Sequence, residues 1–204
     1  MNKLASILFL HSLGLPTNFP NIITGRAVRE VRREVDSFYF KREGGWVLRC
    51  GRPPDRQEGV ERGMPWDLAY SPEELVQKIL VFQRDIGRNY LVFCHPQSDM
   101  VRGGVMVVEG KGVLVEAATG GPRELSAFYR GHRDPEQRLE FNPGMLSNKR
   151  YGEGVLSNAD LLDLRSIERT LVWKELGAVV DPVSIEFSRL RDGSLYVHDL
   201  SVVN

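Results

Sequence analysis

The sequence predicts an α+β protein in which amphipathic helices pack on antiparallel hairpins, and three observations carry that prediction. The stretch from Val183 to Leu200 reads VSIEFSRLRDGSLYVHDL and sets Asp192-Gly193 between two runs rich in β-branched and aromatic residues. That pattern is a strong short-range hairpin signal. A second hairpin is spelled by Gly104–Val108, the turn Glu109-Gly110-Lys111-Gly112, and Val113–Ala118. Four other stretches space their apolar residues at helical intervals. A chain of 204 residues can bury a core as one domain or as two small lobes.

The last hairpin also points to chemistry. With Asp192 and Gly193 as a two-residue loop, Arg191 pairs with Ser194, and Glu186 then faces Asp199, Phe187 faces His198 and Ile185 faces Leu200. Side chains directly opposed across strands have Cβ atoms about 4.5–5.5 Å apart, and like charges there repel. Two such carboxylates need a metal ion, a Lys or Arg, or a shared proton. Mg²⁺, which prefers oxygen ligands, satisfies them best; the alternative is a solvated outer face that screens the repulsion. In this register His198 falls on the face away from the acids and is expected to be structural.

The remaining elements follow in chain order. Lys3 to Leu13 is expected to be a helix, with Leu4, Ile7, Leu8, Leu10 and Leu13 at helical spacing and Gly14 as its stop. Pro16 and Pro20 force an extended turn into a short strand at Asn21–Thr24. Thr24 is expected to cap a helix from Arg26 to about Phe38, with Val28, Val31 and Val35 on its buried face. Trp46–Cys50 reads as a strand. Gly51 to Tyr70 is rich in Gly, Pro and charge without periodicity, and is expected to be a long loop. Ser71-Pro72-Glu73-Glu74 is a helix start, with a Ser cap and Pro at the first helical position. Leu75, Ile79, Phe82 and Ile86 form the stripe of that helix. Tyr90–Cys94 is a strand. Thr119-Gly120-Gly121-Pro122 leads into a short helix, and Pro135–Glu153 is expected to meander. Ser157-Asn158-Ala159-Asp160 is a capping-box start for a helix running from Asn158 to Leu176, with Leu161, Leu164, Ile167, Leu171 and Val172 inward and Gly177 closing it.

Composition narrows the function classes. Twenty-seven basic residues balance twenty-seven acidic ones, so no global field gathers nucleic acid or anionic lipid. Cys50 and Cys94 lie in apolar runs with no CxxC neighbour and are expected to be buried, reduced thiols. The N-terminal apolar stretch is short, is interrupted by His11 and lacks a basic leader, so it does not read as a signal peptide. No run reaches the roughly 18 apolar residues of a membrane span. The expectation is a cytoplasmic protein.

Several motifs together resemble a known module. Lys3-Leu4-Ala5-Ser6 through Gly14-Leu15-Pro16 and Ile22-Ile23-Thr24, then Val47-Leu48-Arg49-Cys50-Gly51, Gly104-Val105-Met106 and Val115-Glu116-Ala117 with Gly120 and Glu124, follow one family pattern. Ser184-Ile185-Glu186-Phe187 and Gly193-Ser194-Leu195-Tyr196 are its most specific part. The pattern resembles the ATP-grasp nucleotide-binding module of the phosphoenolpyruvate synthase and pyruvate phosphate dikinase family. The resemblance implies a two-lobed ATP-grasp-like fold with mixed and antiparallel sheets, an N-terminal lobe over residues 1–90 and a C-terminal lobe over 91–204. It implies ATP and Mg²⁺ as cofactors, Lys3 and Arg49 on the phosphates with Arg49 as the catalytic residue, Glu116 near the adenine and ribose, and Glu186 with Asp199 as metal ligands. Asp199 stands where the family has Gln, and Ser184 where it has Asp. Cys50-Gly51-Arg52-Pro53-Pro54 replaces the family's Ser-Ser and acidic signature, and neither a phosphohistidine segment nor a barrel domain is present. The resemblance therefore implies a free-standing module that phosphorylates a histidine of a separate phosphohistidine-domain protein. The alternative is a descendant that keeps only nucleotide binding, or only the fold as a structural or interaction protein.

Overall fold

Described here are residues 3–53, 65–87, 89–109, 112–142, 149–152, 154–174 and 182–202 of a computed structural model. They form five helices and ten strands in two sheets. The chain divides into two compact units, residues 1–8 with 18–98 and residues 9–17 with 99–204.

The first unit holds β1 (Asn21–Ile23), α2 (Val28–Phe38), β2 (Trp46–Gly51), β3 (Trp66–Ala69), α3 (Pro72–Asp85) and β4 (Leu91–Pro96), with the start of α1 (Lys3–Ser12). Its sheet runs β1-β4-β2-β3. Every pairing in it is antiparallel, where a mixed sheet was expected. The strand β4 sits inside this sheet, so the division falls after Ser98 rather than after residue 90. Trp46, Leu48, Val92 and Cys94 face a core closed by Val31 and Val35 of α2 and by Leu75, Val76 and Ile79 of α3. On the other face Phe93 meets Leu4 and Ile7 of α1.

Local chemistry explains the helix ends. The Ser71 hydroxyl accepts from the Glu74 amide at 3.1 Å, with Pro72 in the first turn, as the sequence predicts. In α2 the cap is Ala27, not Thr24. Glu30 turns back to accept from the Arg26 and Ala27 amides, while Thr24 and Gly25 donate to Glu34. Val28 is correspondingly exposed rather than inward. Part of the expected 51–70 loop is the edge strand β3, paired with β2 from Trp46↔Ala69 to Arg49↔Trp66.

The second unit is a six-stranded antiparallel sheet in the order β10-β9-β5-β6-β7-β8. It comprises β5 (Met100–Glu109), β6 (Gly112–Thr119), β7 (Gln137–Phe141), β8 (Lys149–Gly152), β9 (Val183–Leu190) and β10 (Leu195–Val202), with α4 (Pro122–Tyr129) and α5 (Asn158–Lys174). Two strands, β7 and β8, lie where a meander was expected. One face packs Met106, Val115, Leu139, Ile185 and Phe187 against Leu161, Leu164, Ile167 and Leu171 of α5, and Leu10 and Leu15 join the same core. The side chain of Val172, and Gly177, lie outside the described residues. On the opposite face Leu125 and Phe128 of α4 cover Ala118 and Val105. Gly14 ends α1 at φ +74°, a conformation glycine adopts without Cβ strain. Both cysteines are free and buried, and burial pushes the Cys94 thiol up.

Candidate functional site

The acid pair depends on how the last hairpin closes. The loop has three residues, Arg191–Gly193, because Leu190 and Ser194 close it, with the Leu190 amide donating to the Ser194 carbonyl at 2.8 Å. Gly193 takes φ +88°, the geometry of a three-residue hairpin loop. Pairing then runs Leu195↔Arg189, Tyr196↔Ser188 and Val197↔Phe187, one residue out of the expected register. A bulge at His198 restores it, so Glu186 faces Asp199 and Leu200 faces Ile185 as the sequence predicts. One extra loop residue and one bulged residue cancel.

The bulge has a second consequence. It turns His198 onto the acid face, where its Nε2 meets the hydroxyl of the fully buried Ser188. The expectation that His198 lies opposite the acids is therefore corrected, because a bulge re-aims the side chain it inserts. Tyr129 closes another side, donating to the Phe187 carbonyl at 2.6 Å. Burial raises this phenol above its ordinary range and the Glu186 charge adds to the shift. The Asp199 carboxylate accepts from the Leu200 amide at 3.0 Å.

Register extends the site across the sheet. Glu186 pairs with Val105, Val105 with Glu116, and Glu116 with Arg138. Asp199, Glu186, Glu116 and Arg138 thus share one transverse row on the face away from α5. Arg138 stands 3.7 Å from Glu116 and 3.1 Å from Glu140. Sequence reasoning missed Arg138, although the alternation of Gln137-Arg138-Leu139-Glu140-Phe141, buried at every other residue, was a readable strand signal. Among the described residues no group of three or more His, Cys, Asp or Glu side chains is placed to hold a metal ion. The acids Glu186 and Asp199 form an all-oxygen pair, a donor set suited to a hard cation completed by water or phosphate oxygens.

Lys3 and Arg49 belong to the first unit. Arg49 pairs with Phe93 and Val47 with His95, so Arg49 and His95 share the sheet face on which α1 sits. His95 is pushed down to about 3, first by burial and then by the Arg49 charge, with Lys3 and Arg42 adding to it. It is a neutral imidazole whose Nδ1 lies 3.0 Å from the Pro96 carbonyl, so its Nδ1–H donates there. The structure therefore brings Lys3, Arg49 and the unpredicted Arg42 into one cationic neighbourhood around an uncharged ring.

No family model and no curated protein matches the sequence. Solved structures match its fold. D-alanine–D-alanine ligase from Helicobacter pylori aligns with TM-score 0.56 and 13% identity over 97% of this chain and 52% of its own. Phosphoribosylamine–glycine ligase from Thermotoga maritima gives 0.56 and 15% over 98% and 48%. Carboxyaminoimidazole ribonucleotide synthase from Aspergillus clavatus, solved complexed with ATP, gives 0.54 and 11% over 97% and 44%. The chain spans about half the length of these structures. At this identity the likeness concerns the fold alone, an α+β, ATP-grasp-like fold.

Proposed function

We propose that the chain is an ATP- and Mg²⁺-binding module. Lys3 and Arg49 contact the phosphates, Glu186 and Asp199 hold the metal, and Glu116 reaches the adenine and ribose. The observation that carries the reading is chemical sorting within a neutral chain. In the first unit Lys3, Arg42 and Arg49 lie close enough to His95 to act on its charge, and in the second unit one sheet face aligns Asp199, Glu186 and Glu116. A phosphorylated ligand with its cation needs both kinds of group, since transferring phosphoryl oxygens spread negative charge that cations must meet. Support also comes from the likeness in fold to a synthase solved with ATP.

Calorimetric titration with ATP and Mg²⁺ tests this. Arg49→Ala should weaken binding by about 1.5–3 kcal/mol, the scale of a hydrogen bond to a charged group. Added Mg²⁺ should raise the melting temperature, more so with ATP, by mass action on the folded state. Glu186→Gln should remove that response. A parent protein indifferent to both ligands at millimolar concentration removes the reading.

Within it, the finer proposal is transfer of a phosphoryl group to a histidine of a separate phosphohistidine-domain protein, with Arg49 stabilising the transferring group. The second reading is a module that binds nucleotide without turnover. Two features favour it: Arg138 beside Glu116, and Ser184 where the resembled family has an acid. ATP consumption with a phosphohistidine-domain partner separates the two.

A further inference from the structure

Val197 and Leu200 of β10 are both buried in the core of the second unit. Side chains alternate along a regular strand, so residues three apart fall on opposite faces. One of the two residues between them, His198 or Asp199, must therefore be bulged. The apolar pattern leaves the choice open. With Val197 opposite Phe187 and Leu200 opposite Ile185, either residue can stand opposite Glu186.

Electrostatics points to the pairing that the chain does not adopt. Directly opposed carboxylates repel, whereas an imidazole opposite Glu186 can give its N–H to the carboxylate. Yet Asp199 is the residue paired with Glu186, and His198 is bulged. What holds His198 there is Ser188. The His198 Nε2 shares a hydrogen bond with the Ser188 hydroxyl, which is fully buried and costly to leave without a partner. Ser188 is itself fixed in place. It pairs with Gly103 of β5, where an added Cβ would collide with the Tyr129 hydroxyl. That phenol donates to the carbonyl of Phe187, the residue before Ser188, at 2.6 Å.

We propose that Ser188 is a positioning residue for the acid pair: by holding the His198 ring it places the bulge at 198 and leaves Asp199 opposite Glu186. Without the hydroxyl, His198 takes the place opposite Glu186 and Asp199 becomes the bulged residue. The positioning stands on the hairpin alone. Its consequence for a metal rests on the function proposed above: the acids meet as a pair only when the bulge is at 198.

Two measurements on the full chain and its Ser188→Ala variant at neutral pH test it. Backbone NOEs across β9 and β10 report which residue is paired with Glu186. Mn²⁺, a paramagnetic stand-in for Mg²⁺, is titrated without nucleotide and followed by EPR. In the parent the NOEs should link Glu186 with Asp199. In Ser188→Ala they should move to His198, and Mn²⁺ affinity should fall about 10–100-fold, the scale of losing a group that orients a metal ligand. If Ser188→Ala does not fold, Ser188→Cys, whose thiol is a weak hydrogen-bond donor, should shift the same NOEs toward His198. A variant that keeps Asp199 paired with Glu186 overturns the proposal, whatever the metal does. Moved NOEs with unchanged Mn²⁺ affinity overturn its link to the metal. A parent that binds no Mn²⁺ removes the metal reading, and the NOEs still decide the positioning.

Discussion

The two faces of the second sheet handle carboxylates in opposite ways. On the core face, Asp160 at the start of α5 is fully buried, yet every need is met. Arg189 Nε donates to it at 2.6 Å, Arg102 at 2.9 Å, and the Ser157 amide and hydroxyl at 2.7 Å each. Burial alone would raise its pKa, but the Ser157 hydrogen bonds and the Arg189 charge outweigh that and hold the carboxyl below its ordinary range. Arg189 also reaches Asp163 and the Gly193 carbonyl, tying the helix to the hairpin loop. On the outer face, Glu186 and Asp199 oppose each other, and the cation of their row, Arg138, stands beyond Glu116. The difference teaches how to sort acids by role. A carboxylate surrounded by built-in donors holds the fold together, whereas a directly opposed pair carries a mutual repulsion, which the metal of the proposed function would relieve.

The comparison is sharpest in denaturant. Asp160→Ala should cost about 3–5 kcal/mol in urea unfolding, because it removes the buried partner of Arg189 and Arg102 together with the Ser157 hydrogen bonds at the start of α5. Loss of that size from Glu186→Ala instead would reverse the sorting. The pH dependence has a defined sign. Since the folded pKa of Asp160 lies below its ordinary value of 3.8, its contribution is present above that value and is lost as pH falls through the folded pKa. Asp160→Asn should flatten that acid limb.

A second buried acid on α5 offers an intermediate effect. Glu168 is 2% exposed, its Oε2 has no hydrogen-bond partner among the described residues, and burial raises its pKa despite the charges of Arg165 and Arg169. A raised acid favours folding below its ordinary value of 4.5, and that contribution is lost as pH rises through the folded pKa. Glu168→Gln should therefore stabilise by about 0.5–1.5 kcal/mol at pH 7, with the gain vanishing near pH 4 in thermal melts.

Without metal, Glu186→Gln should change stability by no more than roughly 0.5 kcal/mol, toward stabilisation since one repelling charge is gone. A large loss would mean the pair holds the fold together as Asp160 does. The smallest effect is a null one. The His95 ring, held neutral with a pKa of about 3, should show no NMR titration between pH 8 and 5. A midpoint near 6.5 would deny the cationic neighbourhood of the first unit.

What the sequence determined by itself was set by local energetics. The Ser71 and Ser157 caps, the Gly14 stop, both hairpins and the buried stripe of α5 are visible because a side chain satisfies its own helix end or a turn residue supplies its own dihedral. The opposition of Glu186 and Asp199 was also legible, though through a two-residue loop that the chain does not form. Only the tertiary structure decided that Leu190 and Ser194 close a longer loop and that His198 is bulged to compensate, because sheet pairing, not turn propensity, sets where Val197 must bury. It decided as well that the segments around Trp66 and Lys149 become edge strands, that α2 starts after Ala27 rather than at a Thr24 cap, and that Arg189 spends its charge on Asp160. Each of these is an interaction with a partner remote in sequence or with a competing neighbour, whose free energy no local pattern contains.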